Sequence, residues 1–183
     1  MVSYRVALIA ASITALIAVI AAPTAYAQKD VASCKPMLDA FAKMAVTAYH
    51  VSGTTTTPGT GAVVVPIELI SAGGQNYLIA DGHWVRSPMT AAQMAAQQQD
   101  NIRDATAFSC RRLPDESVGG VAAVVYSTHS ENDGSKADGQ VWIAKGSGLI
   151  LRMDADVDPG DVDHTHMSTR YDYANVHAPA GVQ

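Results

Sequence analysis

"GLILRMDADVDPGDVDHTHMSTRYDY", residues 148–173, admits two incompatible readings, and the choice between them fixes the fold. Its middle, residues 154–166, holds five aspartates and two histidines, and the DxDxD opening has the look of a calcium loop. A calcium loop of the EF type needs ligands at positions 1, 3 and 5, a glycine at 6 and a glutamate at 12. Counted from Asp154, position 6 is Pro159, the glycine comes one place late as Gly160, and position 12 is Thr165. The alternative is a strand, a turn and a second strand. Alternation then puts Leu149, Leu151, Met153, Ala155 and Val157 on a dry face and Arg152, Asp154, Asp156 and Asp158 on a wet one. Pro159 and Gly160 suit the two central positions of a type II turn. The second reading explains every residue of the stretch, so the late part of the chain is read as an antiparallel hairpin.

His164 and His166 follow at i and i+2, which on a strand places both imidazoles on one side, about 7 Å apart. That spacing suits a shared transition metal, with Asp154 or Asp156 of the neighbouring strand as further ligands. No HExxH or HxE with CxxC accompanies them. The pattern therefore predicts no resident metal or cofactor, and His164, His166, Asp154 and Asp156 are the residues that would hold one. His50, His83, His129 and His177 stand singly and read as surface or hydrogen-bonded residues.

Upstream, the same period-2 pattern recurs. "VTAYHVSGTTTT", "AVVVPIELIS" and "NYLIADGHWV" read as three strands between 46 and 85, broken by "PGTG" and "SAGG". After Cys110, "VAAVVYSTHS", "GQVWIAKG", "GLILRMDADV" and "HTHMSTRYDYANV" supply four more, with "ENDGSKADG" as a connection. Val124 and Tyr126 alternate with Val121, Ala123 and Val125, as in a strand covered on both faces. Two segments break the pattern. "PMLDAFAKMAVTA" carries Met37, Leu38, Phe41, Met44, Ala45 and Ala48 at helical spacing behind Pro36, and "TAAQMAAQQQDNIRDA", residues 90–105, is rich in helix formers but has only a thin apolar face. About seven antiparallel strands and two helices make an α+β domain.

The first 27 residues differ from the rest. Arg5 precedes an apolar run over 6–22, and Ala25-Tyr26-Ala27 offers the small residues at which a signal peptidase cuts. Residues 1–27 are expected to be a cleaved Sec-type signal and 28–183 one domain, exported to the periplasm. The whole chain carries a formal charge of −5, and no basic stripe is present, which argues against nucleic acid as a partner. Cys34 and Cys110 are an even pair in an oxidising compartment and are expected to form a disulfide. GxSxG, GxxxxGK[ST], GxGxxG and SxxK are all missing, so no enzymatic activity is expected.

With an amphipathic first helix, a meander interrupted by helix, "QVWIAKGSGLILRMD" late in the chain and a closing "RYDYANVHAPAGV", the sequence resembles the LolA/LolB-type periplasmic lipoprotein-carrier superfamily. Val141-Trp142-Ile143, Gly148-Leu149-Ile150, and the final strand running into Pro179 and Gly181-Val182 carry the resemblance. It implies a strongly curved antiparallel sheet, an unclosed β-barrel wrapped around or capped by two helices, with an apolar concavity for acyl chains. It also implies an arginine near the mouth, for which Arg86 and Arg152 are the candidates. Trp84, Arg86, Met94, Trp142, Leu151 and Met153 are then the expected lining, although Trp84 and Trp142 read more readily as core. The expected protein is a monomeric carrier of an apolar ligand or lipoprotein acyl chain, with envelope membrane proteins as further partners. The competing classes are a metal-associated enzyme or sensor using His164 and His166, and a protein-interaction module of the envelope.

Overall fold

A computed structural model describes residues 29–57, 63–160 and 163–182; the expected signal over 1–27 lies outside the described residues. Nine strands form one antiparallel sheet: β1 Tyr49–Thr57, β2 Val63–Ala72, β3 Gln75–Ala80, β4 His83–Arg86, β5 Ala107–Val118, β6 Val121–Asn132, β7 Ser135–Ala144, β8 Ile150–Asp158 and β9 Thr165–Asp172. Helix α1 spans Lys35–Met44, behind a 3-10 turn at Ala32–Cys34, and α2 spans Ala91–Asp104. The strands lie in the order β4-β3-β2-β1-β9-β8-β7-β6-β5. Two runs of consecutive hairpins, β1–β4 and β5–β9, are thus joined at a single seam, β1 against β9.

The count exceeds the expected seven for two reasons. "NYLIADGHWV" is two strands rather than one, because Asp81 and Gly82 both adopt positive φ, 51° and 78°, and turn the chain back on itself. Asp-Gly flanked by apolar residues favours the type I′ turn that this conformation builds. The same device at Asp133-Gly134 places most of "ENDGSKADG" within strands β6 and β7. The other strand absent from the sequence pattern is β5, "AFSCRRLPDESV", whose alternation is interrupted by a register shift between Leu113 and Glu116. Pro114 sits at that irregularity on an edge strand, where a missing N–H costs least.

Helix α2 makes the sheet curve. It leaves β4 at one edge and delivers the chain to β5 at the other. Its start is tied to the β2–β3 turn by the Ala91 N–H donating to the Gly74 carbonyl, and its end to β6 by Thr106 N–H donating to Glu131 O. In a flat sheet the seven inter-strand steps from β3 to β5 would span roughly 34 Å. A 14-residue helix with two further residues reaches only about 28 Å. The sheet must close around the helix, so the helix-bearing face is the concave one. Gly53 and Gly139 lie inside strands where a Cβ would press on backbone of the neighbouring strand, as expected at tight bends.

The main core sits between helices and concave face. Met37 and Ala40 of α1 and Ile102 of α2 are buried with Cys34, Phe108, Val141, Ile143 and Ile150. Leu38, Phe41, Val124, Tyr126, Met153 and Tyr171 pack against them. Cys34 and Cys110 form the expected disulfide, which ties the start of α1 to β5. On the convex face a smaller cluster gathers Ala123, Val125 and Trp142 with Leu113, Val118 and Leu151. Strand β6 is therefore covered on both faces, in agreement with its alternation.

Candidate functional site

Register assigns every side chain to a face. From the seam outward, the concave face reads in cross-strand rows. Tyr49, Ser71 and Asn76 form the first, and Tyr171, Val51, Leu69, Leu78 and Val85 the next. Beyond these come Met153, Thr169, Gly53 and Ile67, then Ala155, Met167, Thr55 and Val65, and last Val157, Thr165, Thr57 and Val63. The helices cover the near end of this face. Past them the rows stay small or apolar but lose their cover: Val63 and Val65 are 58% and 52% exposed, and Ile67, Ala155, Val157 and Met167 are only partly buried. This open stretch of the concave face is the candidate site. The alternation Val63, Val65, Ile67, Leu69 in "VVVPIEL" was the signal that could have named it, but Val64 between them masks the period.

The six expected lining residues divide between the faces. Met153 packs on the concave side, and Met94 of α2 lies there too, its Sδ 2.8 Å from Asn76 Nδ2. Trp84 and Arg86 pair with Ile79 and Tyr77, and these project from the convex face. Trp142 and Leu151 belong to the convex cluster. That differs from the expected common face, and the reason is local. β8 carries one extra residue where Trp142 pairs with Arg152 but Ile143 pairs with Ile150. Such a bulge flips the alternation, so Ile150 and Met153 share a face while Leu151 goes to the other. Arg152, the second arginine candidate, is convex as well: its guanidinium lies 4.6 Å from the Trp142 ring centroid, and the Trp142 indole donates to Glu116 at 2.7 Å.

The convex face bears the aspartate-rich stretch. β8 ends at Asp158, Gly160 takes the positive φ that the Pro-Gly turn needs, and β9 begins at Thr165. The row His129, Asp138, Asp156, His166 crosses four strands in register. His129 Nδ1 is 2.8 Å from Asp138, and His166 Nδ1 2.8 Å from Asp156. His164 approaches the same Asp156 oxygen at 3.4 Å. The hydrogen bond to His166 holds the Asp156 carboxyl below the usual carboxylate range. Asp154 is taken up separately, by Arg152 Nε at 3.1 Å and the Ser168 hydroxyl at 2.7 Å. So the structure brings His164, His166 and Asp156 together and gives Asp154 to other partners. Among the described residues, no group of three or more His, Cys, Asp or Glu side chains is arranged to hold a metal ion. A recess of about 410 Å³ lies beside this row, lined by Ser127, Asp138, Gln140, Asp154, Asp156 and His166.

Three tyrosines close the near end of the concave face. The Tyr49 ring lies 6.0 Å from Tyr171 and 6.4 Å from Tyr173. Burial pushes the Tyr171 phenol up to about 12 and raises those of Tyr49 and Tyr173 as well. Their hydroxyls stay protonated and donate inward, Tyr171 to Met153 Sδ at 3.2 Å and Tyr173 to the Ile150 carbonyl at 2.6 Å.

No protein-family model matches the chain, and no curated protein matches it. Among solved structures it is similar to LprF from Mycobacterium bovis, with a TM-score of 0.47 at 12% identity over 83% of this chain and 98% of that one. The Mycobacterium tuberculosis lipoprotein LppX gives 0.47 at 12% identity, over 81% and 97%. MucB gives 0.41 at 15% identity, over 84% of this chain and 63% of that one.

Proposed function

We propose that the chain is an exported, non-catalytic carrier that holds an apolar ligand, a lipid or the acyl chains of a lipoprotein, against the open stretch of its concave face. One observation carries the reading: the apolar rows of that face run on past the helices, leaving Val63 and Val65 exposed on the inside of a curved sheet. A sheet interior left uncovered loses roughly 25 cal/mol for each Å² of apolar surface that a ligand would remove from water. Apolar surface gathered in a concavity is also where ligands are generally held. The disulfide fits an oxidising compartment and the signal-like N-terminus fits export to it. The lack of catalytic motifs, and the engagement of Asp138, Asp154 and Asp156 by His129, Arg152 and the His164–His166 pair, support a binding role over an enzymatic one.

The test is native mass spectrometry of the protein recovered from its own cell envelope, alongside Val65→Asp. Because Val65 is half exposed, an aspartate there leaves the fold intact while placing a charge in the proposed path. Lipid bound to the wild type and lost from the variant is expected. A wild-type protein that carries no lipid and takes up none from vesicles would refute the carrier reading.

A further inference from the structure

The concave face is apolar along most of its length but ends in a polar row, and one atom of that row has nothing to bind. Asn76 is fully buried. Among the described buried side-chain polar atoms, its Oδ1 is the one without a hydrogen-bond partner. Its Nδ2 is served poorly, by the Met89 carbonyl at 3.3 Å and by the Met94 thioether, a weak acceptor. A buried amide oxygen left unpaired costs about 1–3 kcal/mol, so the site favours whatever can donate to it.

We propose that Asn76 anchors the hydroxyl-bearing polar end of an uncharged lipid, reached when the N-terminal half of α2 lifts away from β3. The inference rests on the carrier reading and names the ligand class for the same face. A hydroxyl complements both ends of the amide: it donates to Oδ1 and accepts from Nδ2, replacing the thioether. Ser71 and Tyr49, beside Asn76 in the same row, extend the polar patch across two more strands. From Ser71 to Val63 the strand covers about 26 Å of mostly apolar side chains, room for a long acyl chain laid along it. Register gives β1 to β4 no lysine or arginine on this face, the basic Arg86 being convex. An anionic headgroup would therefore be buried without a counter-charge, which is strongly unfavourable.

The cover is built to move. Of the fourteen residues of α2 only Ala91 and Ile102 are buried, and Met94, directly over Asn76, is 39% exposed. The Thr90–Gln93 capping box keeps the first turn satisfied within the helix itself, so lifting it sacrifices the Ala91–Gly74 bond, the Met94 contact and the burial of the small Ala91 side chain.

The test compares two probes with one acyl chain, monooleoylglycerol, which has free hydroxyls, and methyl oleate, whose ester only accepts. Isothermal titration of the wild type is expected to give 5- to 100-fold tighter binding of monooleoylglycerol, matching one buried hydrogen bond. Asn76→Leu, which keeps the volume and removes the amide, should abolish the preference while leaving methyl oleate within about threefold. If that variant does not fold, Asn76→Ser replaces it and should weaken monooleoylglycerol alone. Equal binding of the two probes by the wild type, or a preference that survives in the variant, overturns the inference and leaves Oδ1 to an internal water. Failure of the wild type to bind either probe refutes the carrier reading itself.

Discussion

Replacing Gly53 with alanine should damage this protein far more than a single methyl group ordinarily does. Gly53 lies in β1 at the seam, opposite Thr169 of β9. A Cβ built there would stand 2.9 Å from Thr169 Cα and 3.0 Å from Ser168 C, and closer still to the Ser168 carbonyl oxygen. Backbone cannot swing aside as a side-chain tip can, so β1 and β9 must separate by about 1 Å to restore contact distances near 3.5–4 Å. That separation stretches two ladder hydrogen bonds, each contributing about 1 kcal/mol, and adds an overpacking cost of about 1–3 kcal/mol. A loss of about 4 kcal/mol is expected, a large share of the 5–15 kcal/mol that holds a typical domain together. Gly146→Ala is the control: nothing lies within 4 Å of its Cβ position and its φ is not positive, so it should be neutral or stabilising by up to about 1 kcal/mol. Urea unfolding followed by circular dichroism measures both. If Gly53→Ala falls within about 0.5 kcal/mol of wild type at unchanged m-value, the close approach at the seam is not what the sheet depends on.

Other outcomes follow from the same structure. Removing the disulfide by Cys34→Ala with Cys110→Ala should cost about 4.5 kcal/mol in the chain-entropy model for a sequence separation of 76, read as a lower denaturant midpoint. The tyrosine cluster predicts alkaline sensitivity. A phenol is neutral when protonated, so a folded pKa near 12 for Tyr171 means its contribution is complete below pH 10 and drains away between 10 and 12. That window corresponds to about 3 kcal/mol for Tyr171 alone, and Tyr171→Phe should make the fall across it shallower, leaving the share that Tyr49 and Tyr173 contribute, when unfolding is measured at several pH values. Thr90→Ala removes the N-cap of α2 and should cost about 1 kcal/mol. Hydrogen exchange should place that loss in the α2 amides and leave those of β6 and β7 unchanged.

The aspartate-rich hairpin was legible because its polar alternation is strict and its turn residues are diagnostic. Both helices were legible too, although α1 stops at Met44, short of Val46, which is 87% exposed and gains nothing from continuing. The two Asp-Gly turns are harder to see, because each lies inside a run whose composition suits one continuous strand or one connection. The face of Leu151 was not legible. A bulge adds a residue without leaving a compositional mark, and everything before it then shifts parity. Arg86 illustrates a broader limit: its position after "HWV" says it is at a strand end, but only the β3–β4 register says which side of the sheet it serves. The polar row of Asn76, Ser71 and Tyr49 is still further from reach, since its members come from three strands and are joined only by pairing.

The seam between β1 and β9 also sets an order of events. Every other strand pair in the sheet is a hairpin between neighbours in sequence, able to zip as soon as both strands exist. The β1–β9 ladder joins the first strand to the last, so it must wait for the C-terminal residues and for the costliest loop closure in the molecule. Until then the chain is two partial sheets, each showing an unpaired edge, the threonine-rich β1 in one and β9 in the other. A partly synthesised molecule is thus poised to aggregate or to swap strands with another copy. The Cys34–Cys110 bridge, once formed, shortens the loop that this ladder has to close, because it ties the segment leading into β1 to the run that ends in β9.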